Sequence, residues 1–143
     1  MYIYQHSPLF HSPYPIAGTV VSVPIILGLR HHGIVSDRWQ DGKPMVISGS
    51  NRMGCVVEES WDAFDPSGMS RIEEFCGPIT GVSAVIRARA KLGSKYSLVA
   101  WNCDHVVHHA VGLEPKSPQL AISCLIGGVI LVALANGNKL KMN

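Results

Sequence analysis

The stretch Trp101-Asn102-Cys103-Asp104-His105-Val106-Val107 decides how the rest of this chain is interpreted. The residues after it keep a helical spacing of apolar side chains, which predicts a helix over 104–111. Cys103 then lies at or just before the first turn, where unpaired N–H groups and the helix dipole favour a thiolate. Because the thiolate is the reactive form, the stretch indicates a cysteine nucleophile, with a buried structural cysteine as the alternative.

The composition is that of one domain with free thiols. The chain has 143 residues, of which 47% are hydrophobic and 15% charged, and its formal charge of +2 is too small to indicate nucleic-acid binding by itself. We find no CxxC pair and no signal peptide, which predicts a reducing, cytoplasmic compartment and no disulfide framework. The four scattered cysteines are Cys55, Cys76, Cys103 and Cys124.

Short β-branched runs before Cys103 predict an antiparallel β-meander. Residues 1–17 contain three prolines and predict an irregular arm. Apolar spacing from Val82 to Leu92, with Gly93 as the stop, predicts a helix between the meander and Cys103. The Asp41-Gly42 pair predicts a turn. Strands are expected over 18–24, 29–37, 45–48 and 55–57, with a loop over 49–54.

The chain closes with a hydrophobic run over 120–135, LAISCLIGGVILVALA, followed by a polar tail. A bilayer-spanning helix needs about 20 apolar residues, with about 17 at the short end, so sixteen uncharged residues are marginal. We expect residues 120–143 to contact a membrane, and an ordinary core element is the open alternative. Lys139 and Lys141 suit a cytosolic side of that membrane.

A second motif, His31-His32-Gly33-Ile34-Val35, offers a base for the cysteine. Imidazole is the usual partner of a cysteine nucleophile because its ordinary pKa lies near neutrality. A histidine on an inner strand, facing the start of the Cys103 helix, would be within reach. A third group would orient the imidazole through its other nitrogen. The alternative is a histidine pair at a strand edge with no role.

Together the two motifs resemble the H-box and NC box of the lecithin:retinol acyltransferase-like proteins. Residues 31–35 are similar to the H-box (His-Trp-Gly-Ile-Tyr and variants), and 102–107 to the NC box (Asn-Cys-Glu-His-Phe-Val). The likeness extends over about 18–135 and includes Gly112, Ser117 and Gln119. The family includes cellular phospholipases and acyltransferases and the H-box/NC 2A proteins of some picornaviruses. A small chain with divergent boxes is more like the viral branch.

The resemblance implies an α+β, circularly permuted papain-like fold of the NlpC superfamily, an antiparallel β-meander packed on helices. The domain would cover 18–119, with the hydrophobic C-terminal segment after it. Cys103, with Asn102 beside it in the NC box, would be the nucleophile and His31 its base. The family reaction would be attack of the thiolate on a lipid ester at a membrane, then acyl transfer to an amine, alcohol or water. Backbone N–H groups at the helix start would stabilise the oxyanion, and no metal or cofactor is implied.

Two departures from the family pattern weaken the expected catalysis. Ser48 stands where the cellular enzymes carry a second histidine, so that Ser48 or Asn51 would orient His31 without a charge. Val35 replaces the usual aromatic residue. A missing orienting group can cost about 10⁴-fold in rate. The alternative function is therefore a catalytically weak or silent viral protein that acts through host or viral partners and membranes in replication.

The alternation of side chains along a strand predicts a specific geometry for Cys103 and the two histidines. The Cys103 sulfur should lie within roughly 4 Å of a His31 ring nitrogen, and His32 should point to the opposite face. If His32 faces Cys103 instead, His32 becomes the base.

Two further hypotheses concern residues outside the boxes. His105 and His109, four apart on one helix, could share a metal, with exposed or interface histidines as the default interpretation. RNA binding is a third function, and a solvated helix face is the simpler interpretation of its residues. Its basic patch would be Arg87, Arg89, Lys91 and Lys95.

Overall fold

The structure is a computed structural model that describes residues 12–74 and 77–127. Its centre is a five-stranded antiparallel sheet with the spatial order β4-β3-β2-β1-β5, and helices pack on it. The predicted α+β class and the meander of the first four strands are confirmed. Most of the predicted N-terminal arm, Cys76 and the end of the hydrophobic run lie outside the described residues. The elements are β1 (Val20–Pro24), β2 (Arg30–Gln40), β3 (Lys43–Ser50), β4 (Cys55–Glu59), α1 (Trp61–Phe64), β5 (Arg71–Ile72), α2 (Gly81–Arg89) and α3 (Cys103–Ala110).

The second hairpin is longer than the hydrophobic pattern predicted. β2 and β3 continue to the predicted Asp41-Gly42 turn, where Gln40 pairs with Lys43. Asp41 has φ 51° and Gly42 φ 76°, as a two-residue type I′ turn requires. β3 also runs through Ser50, into the predicted loop, because its backbone pairs with β4 as far as Cys55.

The two faces of the sheet cover different cores. Ile34 on β2 faces α2 and α3, and Val35 faces the opposite side, where Trp61 and Phe64 from α1 cover the sheet. Since side chains alternate along a strand, His32 shares the face of Ile34 and His31 shares the face of Val35. The His31 ring accordingly lies 5.3 Å from the Phe64 ring, measured between centroids.

The face that helix α2 buries differs from the predicted one. Ala84, Val85 and Ala88 are buried, whereas Val82 and Ile86 are exposed. The two alanines allow the helix to approach its neighbours closely. The α-helix ends at Arg89, and turns carry the chain to Gly93.

Helix α3 begins where the sequence predicted. The Asn102 side chain accepts the backbone N–H groups of Asp104 and His105 at 3.0 and 3.3 Å. His105 completes the capping box, because its Nδ1 accepts the backbone N–H of Asn102 at 3.1 Å. A Cβ atom at Gly49 would lie 3.2 Å from the Cys103 nitrogen, so the helix start rests directly on the backbone of β3.

The hydrophobic run begins as a helix on the surface. Residues 118–127 are helical, and Ile122, Leu125 and Ile126 are each more than half exposed. This part of the run is therefore not a buried core element. Within the described ranges, no helix combines the length and the apolar character needed to cross a membrane. Residues 128–135 of the run lie outside the described residues.

Candidate active site at Cys103

Cys103 lies between two cavities of different character. A cavity of about 280 Å³ has a mostly apolar surface, and Ile25, Leu98 and Leu120 are among its lining residues. A more polar cavity of about 390 Å³ is lined by His31 and Glu59 among others. Cys103 lines both cavities, so this residue lies at their junction.

The Cys103 sulfur is a thiol in the resting protein. Burial raises its pKa to about 11, and the neighbouring Asp104 carboxylate acts in the same direction. Backbone N–H groups of His32, Cys103 and Asp104 oppose this shift but do not overcome it. The N–H groups at the helix start do favour a thiolate, as expected, but burial of the sulfur outweighs them.

His31 is held by the predicted serine. Its Nε2 lies 3.2 Å from the Ser48 hydroxyl oxygen. Burial, aided by the neighbouring His32, lowers the pKa of His31 to about 4, so the ring is neutral near pH 7. Asn51, the other candidate for orienting the ring, lies on an exposed turn at the edge of the polar cavity. His31 and Cys103 thus border one cavity, with Ser48 behind the histidine.

A carboxylate that the sequence analysis missed stands behind Ser48. The Ser48 hydroxyl donates to Glu59 Oε1 at 3.2 Å, and Arg52 binds the other oxygen of Glu59 at 3.2 Å. Since a hydroxyl has only one hydrogen, Ser48 must accept the hydrogen bond from His31. The Nε2 atom of His31 therefore carries the hydrogen, and Nδ1 keeps the lone pair. Register explains the contact, because Ser48 pairs with Val57, and Glu59 follows on the same face of β4.

His32 does not point away from Cys103, so that prediction is wrong. A ring nitrogen of His32, the Cys103 sulfur and a carboxylate oxygen of Asp104 all lie within 4.8 Å of one another. The physical reason is the register of β2: its even positions face α3, because Ile34 fills the core beneath that helix. By the criterion set above, His32 becomes a rival to His31 as the base.

The hydrogen bonding of His32 limits that role to its Nε2. Its Nδ1 lies 2.7 Å from Asp104 Oδ1, and its Nε2 lies 4.0 Å from Glu73 Oε1. A carboxylate only accepts hydrogen bonds, so Nδ1 must donate to Asp104. That nitrogen therefore cannot take a proton from the thiol while the pair persists.

Asp104 is the centre of a buried polar network. Besides His32, its carboxylate accepts the Ser117 hydroxyl at 2.8 Å and the Gln119 amide at 2.9 Å. Burial opposes ionisation, but these hydrogen bonds prevail and lower the pKa of Asp104. Gln119 also accepts the backbone N–H of Arg30 and donates to its carbonyl, at 2.6 and 2.8 Å. The Ser-x-Gln pair thus fastens the segment after α3 to the start of β2.

Metal binding has a different best candidate from the predicted one. His105 is buried and its Nδ1 belongs to the helix cap, so the default of an exposed histidine is wrong there. His109 lies against the Trp101 ring, 5.9 Å between centroids. The nitrogen, sulfur and oxygen donors of His32, Cys103 and Asp104 could together bind a zinc ion. A metal there would have to displace the hydrogen bonds that Asp104 already accepts.

The basic patch is largely engaged by the protein itself. Arg89 forms ion pairs with Asp37 and Glu58, and its pKa is raised by them. Arg87 donates to the carbonyl of His109 at 3.0 Å. Lys91 lies 5.7 Å above the Trp101 ring. These contacts leave less of the patch available for phosphates.

Comparison of the chain with protein-family models, with curated proteins and with solved structures found no match.

Proposed function

We propose that this chain is an H-box/NC protein of the circularly permuted papain-like fold. Its function would be that of a thiol-dependent acyltransferase or phospholipase-like protein acting on lipid esters. The observation that carries the proposal is Cys103 at a capped helix start, between an apolar and a polar cavity. An acyl chain suits the first cavity and a polar head group the second. Cytoplasmic membrane association through 120–135 is part of the proposal.

The proposed reaction uses His31 as the base. Its Nδ1 takes the proton of Cys103, whose sulfur then attacks the ester carbonyl carbon. The new C–S bond forms as the C–O bond breaks, and the leaving alkoxide takes the proton back from His31. Water, an alcohol or an amine then attacks the thioester carbon, its proton passes through His31 to the sulfur, and the C–S bond breaks to release Cys103. The relay from His31 through Ser48 to Glu59 supports this role, because it orients the ring and brings a negative charge nearby.

Slow turnover follows from the same site. A thiol with a pKa of about 11 and an imidazole with a pKa of about 4 rarely exchange a proton at pH 7. Asn102 also occupies the N–H groups of Asp104 and His105, which leaves fewer donors for an oxyanion. These observations favour, as the second candidate, a catalytically silent viral 2A-like protein that works through partners and membranes.

A phospholipid-release assay on wild type, Cys103→Ala and His31→Ala tests the proposal. We expect weak fatty-acid release that disappears in both variants, and Cys103 labelling by iodoacetamide that disappears in Cys103→Ala. Cys55→Ala is the matched control, since Cys55 is a free thiol that lines neither cavity. Robust turnover lost in both variants would exclude the silent alternative. Neither turnover nor labelling of Cys103 would exclude the enzyme.

A further inference from the structure

Three exposed apolar segments surround the apolar cavity beside Cys103. We call them the apolar rim: residues 25–29 between β1 and β2, residues 97–100 before α3, and the helical residues 118–127. Each segment contributes to the cavity lining, and none contains a charged residue. Large apolar side chains stand out from all three: Ile25, Ile26, Leu27, Leu98, Val99, Ile122, Leu125 and Ile126 are more than half exposed.

The turn at Leu27 indicates that this exposure is not incidental. Leu29 donates its backbone N–H to the Ile26 carbonyl at 3.1 Å, and φ is 56° at Leu27 and 75° at Gly28. These values define a type I′ turn, in which Asn, Asp or Gly is favoured at the first central position. A leucine there is strained in the left-handed region, and its side chain is 91% exposed, so it does not contribute to the core.

The same chain builds an identical turn with the favoured residue. Asp41-Gly42 has nearly the same φ values as Leu27-Gly28 and closes the neighbouring hairpin. Folding alone therefore does not explain a leucine at position 27. A strained residue that exposes a large apolar side chain points to a surface that is covered in use.

The occupant that fits the rim is a lipid bilayer. The structure describes this helix as far as Gly127, and the sequence continues without charge to Asn138 before reaching Lys139 and Lys141. The rim is thus continuous with a long uncharged segment that has lysines at its end, as in chains that lie on an anionic or zwitterionic membrane. An apolar turn tip inserts readily into the acyl region because it needs no directional partner.

We propose that the apolar rim docks on a phospholipid bilayer, with Leu27 inserted, so that the cavity beside Cys103 opens toward the acyl chains. The inference rests on the proposed function for the lipid ester as substrate, but docking itself requires no reaction at Cys103. It adds the 25–29 and 97–100 segments to the membrane contact expected of 120–135. Substrate would then enter from the membrane rather than from water.

Binding of the full chain to phosphatidylcholine vesicles, measured by co-sedimentation, tests this surface. Leu27→Asp recreates the Asp-Gly turn of the other hairpin, so its melting temperature should equal or exceed that of wild type. Its vesicle affinity should fall about tenfold or more, because a leucine leaves the acyl region and a charge replaces it. Ile86→Asp is the matched control: Ile86 is 60% exposed on α2, outside the rim, and its affinity should change less than about twofold.

Several results would overturn the proposal. One is equal vesicle affinity of Leu27→Asp and Ile86→Asp, which would leave the C-terminal run as sole anchor. Another is a wild-type dimer that Leu27→Asp dissociates, without vesicle binding by either, which would identify a second copy as the occupant. If Leu27→Asp melts early, Leu98→Asp supplies the same comparison. Cys103→Ala should bind vesicles like wild type, which separates docking from the failure of the proposed reaction.

Discussion

At the scale of single residues, burial opposes the charged form of both groups that the proposed reaction needs. The Cys103 thiol has a pKa of about 11 and the His31 imidazole a pKa of about 4. A cysteine protease-like ion pair is therefore absent at rest from this part of the structure. A substrate or a membrane would have to bring the two groups into their reactive forms, which agrees with weak turnover.

The raised pKa of Cys103 predicts that the folded protein loses stability at alkaline pH. A group whose pKa is higher when folded stabilises the fold below its unfolded pKa, here near 9, and loses that contribution as the pH rises to about 11. The loss should reach at most about 3 kcal/mol, since each pKa unit corresponds to about 1.4 kcal/mol. Urea unfolding at pH 8 and pH 11 should show a larger loss in wild type than in Cys103→Ala, where only other groups such as Tyr96 still titrate.

Cys55→Ala serves as the control for that titration, because Cys55 is a half-buried thiol outside the site. Its pH dependence should follow wild type. An iodoacetamide reaction of Cys103 that reaches half of its limiting rate near pH 7 would contradict the raised pKa.

At the scale of the elements, neighbouring strands supply the partner that His31 needs. Ser48 on β3 and Glu59 on β4 hold the ring from behind, while α3 brings Cys103 to the adjoining cavity. In the proposed site, this hydroxyl and carboxylate from two strands stand where the resembled family carries a second histidine. Its role is that of positioning, since Glu59 acts on His31 through Ser48.

Removal of the Ser48 hydroxyl should allow the neutral His31 ring to populate both of its tautomers. In wild type near pH 7, nitrogen NMR shifts should show a hydrogen on Nε2 and none on Nδ1, whereas Ser48→Ala should show a mixture. The variant should also lose about 1–3 kcal/mol, because a buried N–H is left without an acceptor. Ser50→Ala, on the same strand, should leave the His31 shifts unchanged. The same Nε2–H tautomer in Ser48→Ala would refute the relay.

The cap of α3 has a measurable contribution of its own. Asn102→Ala removes the acceptor of two backbone N–H groups and should destabilise the protein by about 1 kcal/mol, up to about 2. Thr80 is also an N-cap, of α2, but its side chain makes no capping hydrogen bond. Thr80→Ala should therefore change the free energy of unfolding much less. Equal losses in thermal or urea unfolding would show that Asn102 does not act as the cap.

At the scale of the whole molecule, the segment after α3 closes the site and then leaves it. Gln119 ties this segment to Arg30, and Ser117 ties it to Asp104. Beyond these contacts, Ile122, Leu125 and Ile126 face outward. The fastening residues thus belong to the domain, and the exposed helix after them belongs to the proposed membrane contact.

Deletion of residues 120–143 should therefore leave the sheet and α3 folded while it weakens membrane association. Ser117 and Gln119 remain in the truncated chain, so the Asp104 network is kept. Circular dichroism, melting temperature and vesicle co-sedimentation measure the two effects. A truncated chain that is insoluble, beside a full-length chain that stays in the soluble fraction, would assign the run to the core instead.

Local signals in the sequence were sufficient for several features of this protein. The Asp-Gly turn, the start of α3 at Asn102 and the order of the first four strands all follow from neighbours within a few residues. Those signals depend on backbone conformation, which adjacent residues determine. The resemblance left Ser48 or Asn51 as the residue that would orient His31, and the ring lies beside Ser48.

Only the tertiary structure determined which side of the sheet each of His31 and His32 faces and whether the Cys103 thiol is ionised. His32 meets Asp104 across 72 residues of sequence, and Gln119 meets Arg30 across 89. A shift of one residue reverses which side chain of a strand faces the helices, and the packing of Ile34 chose the register here. Burial of Cys103, which exists only once sheet and helix meet, then outweighed the backbone N–H groups with which the local sequence had favoured a thiolate.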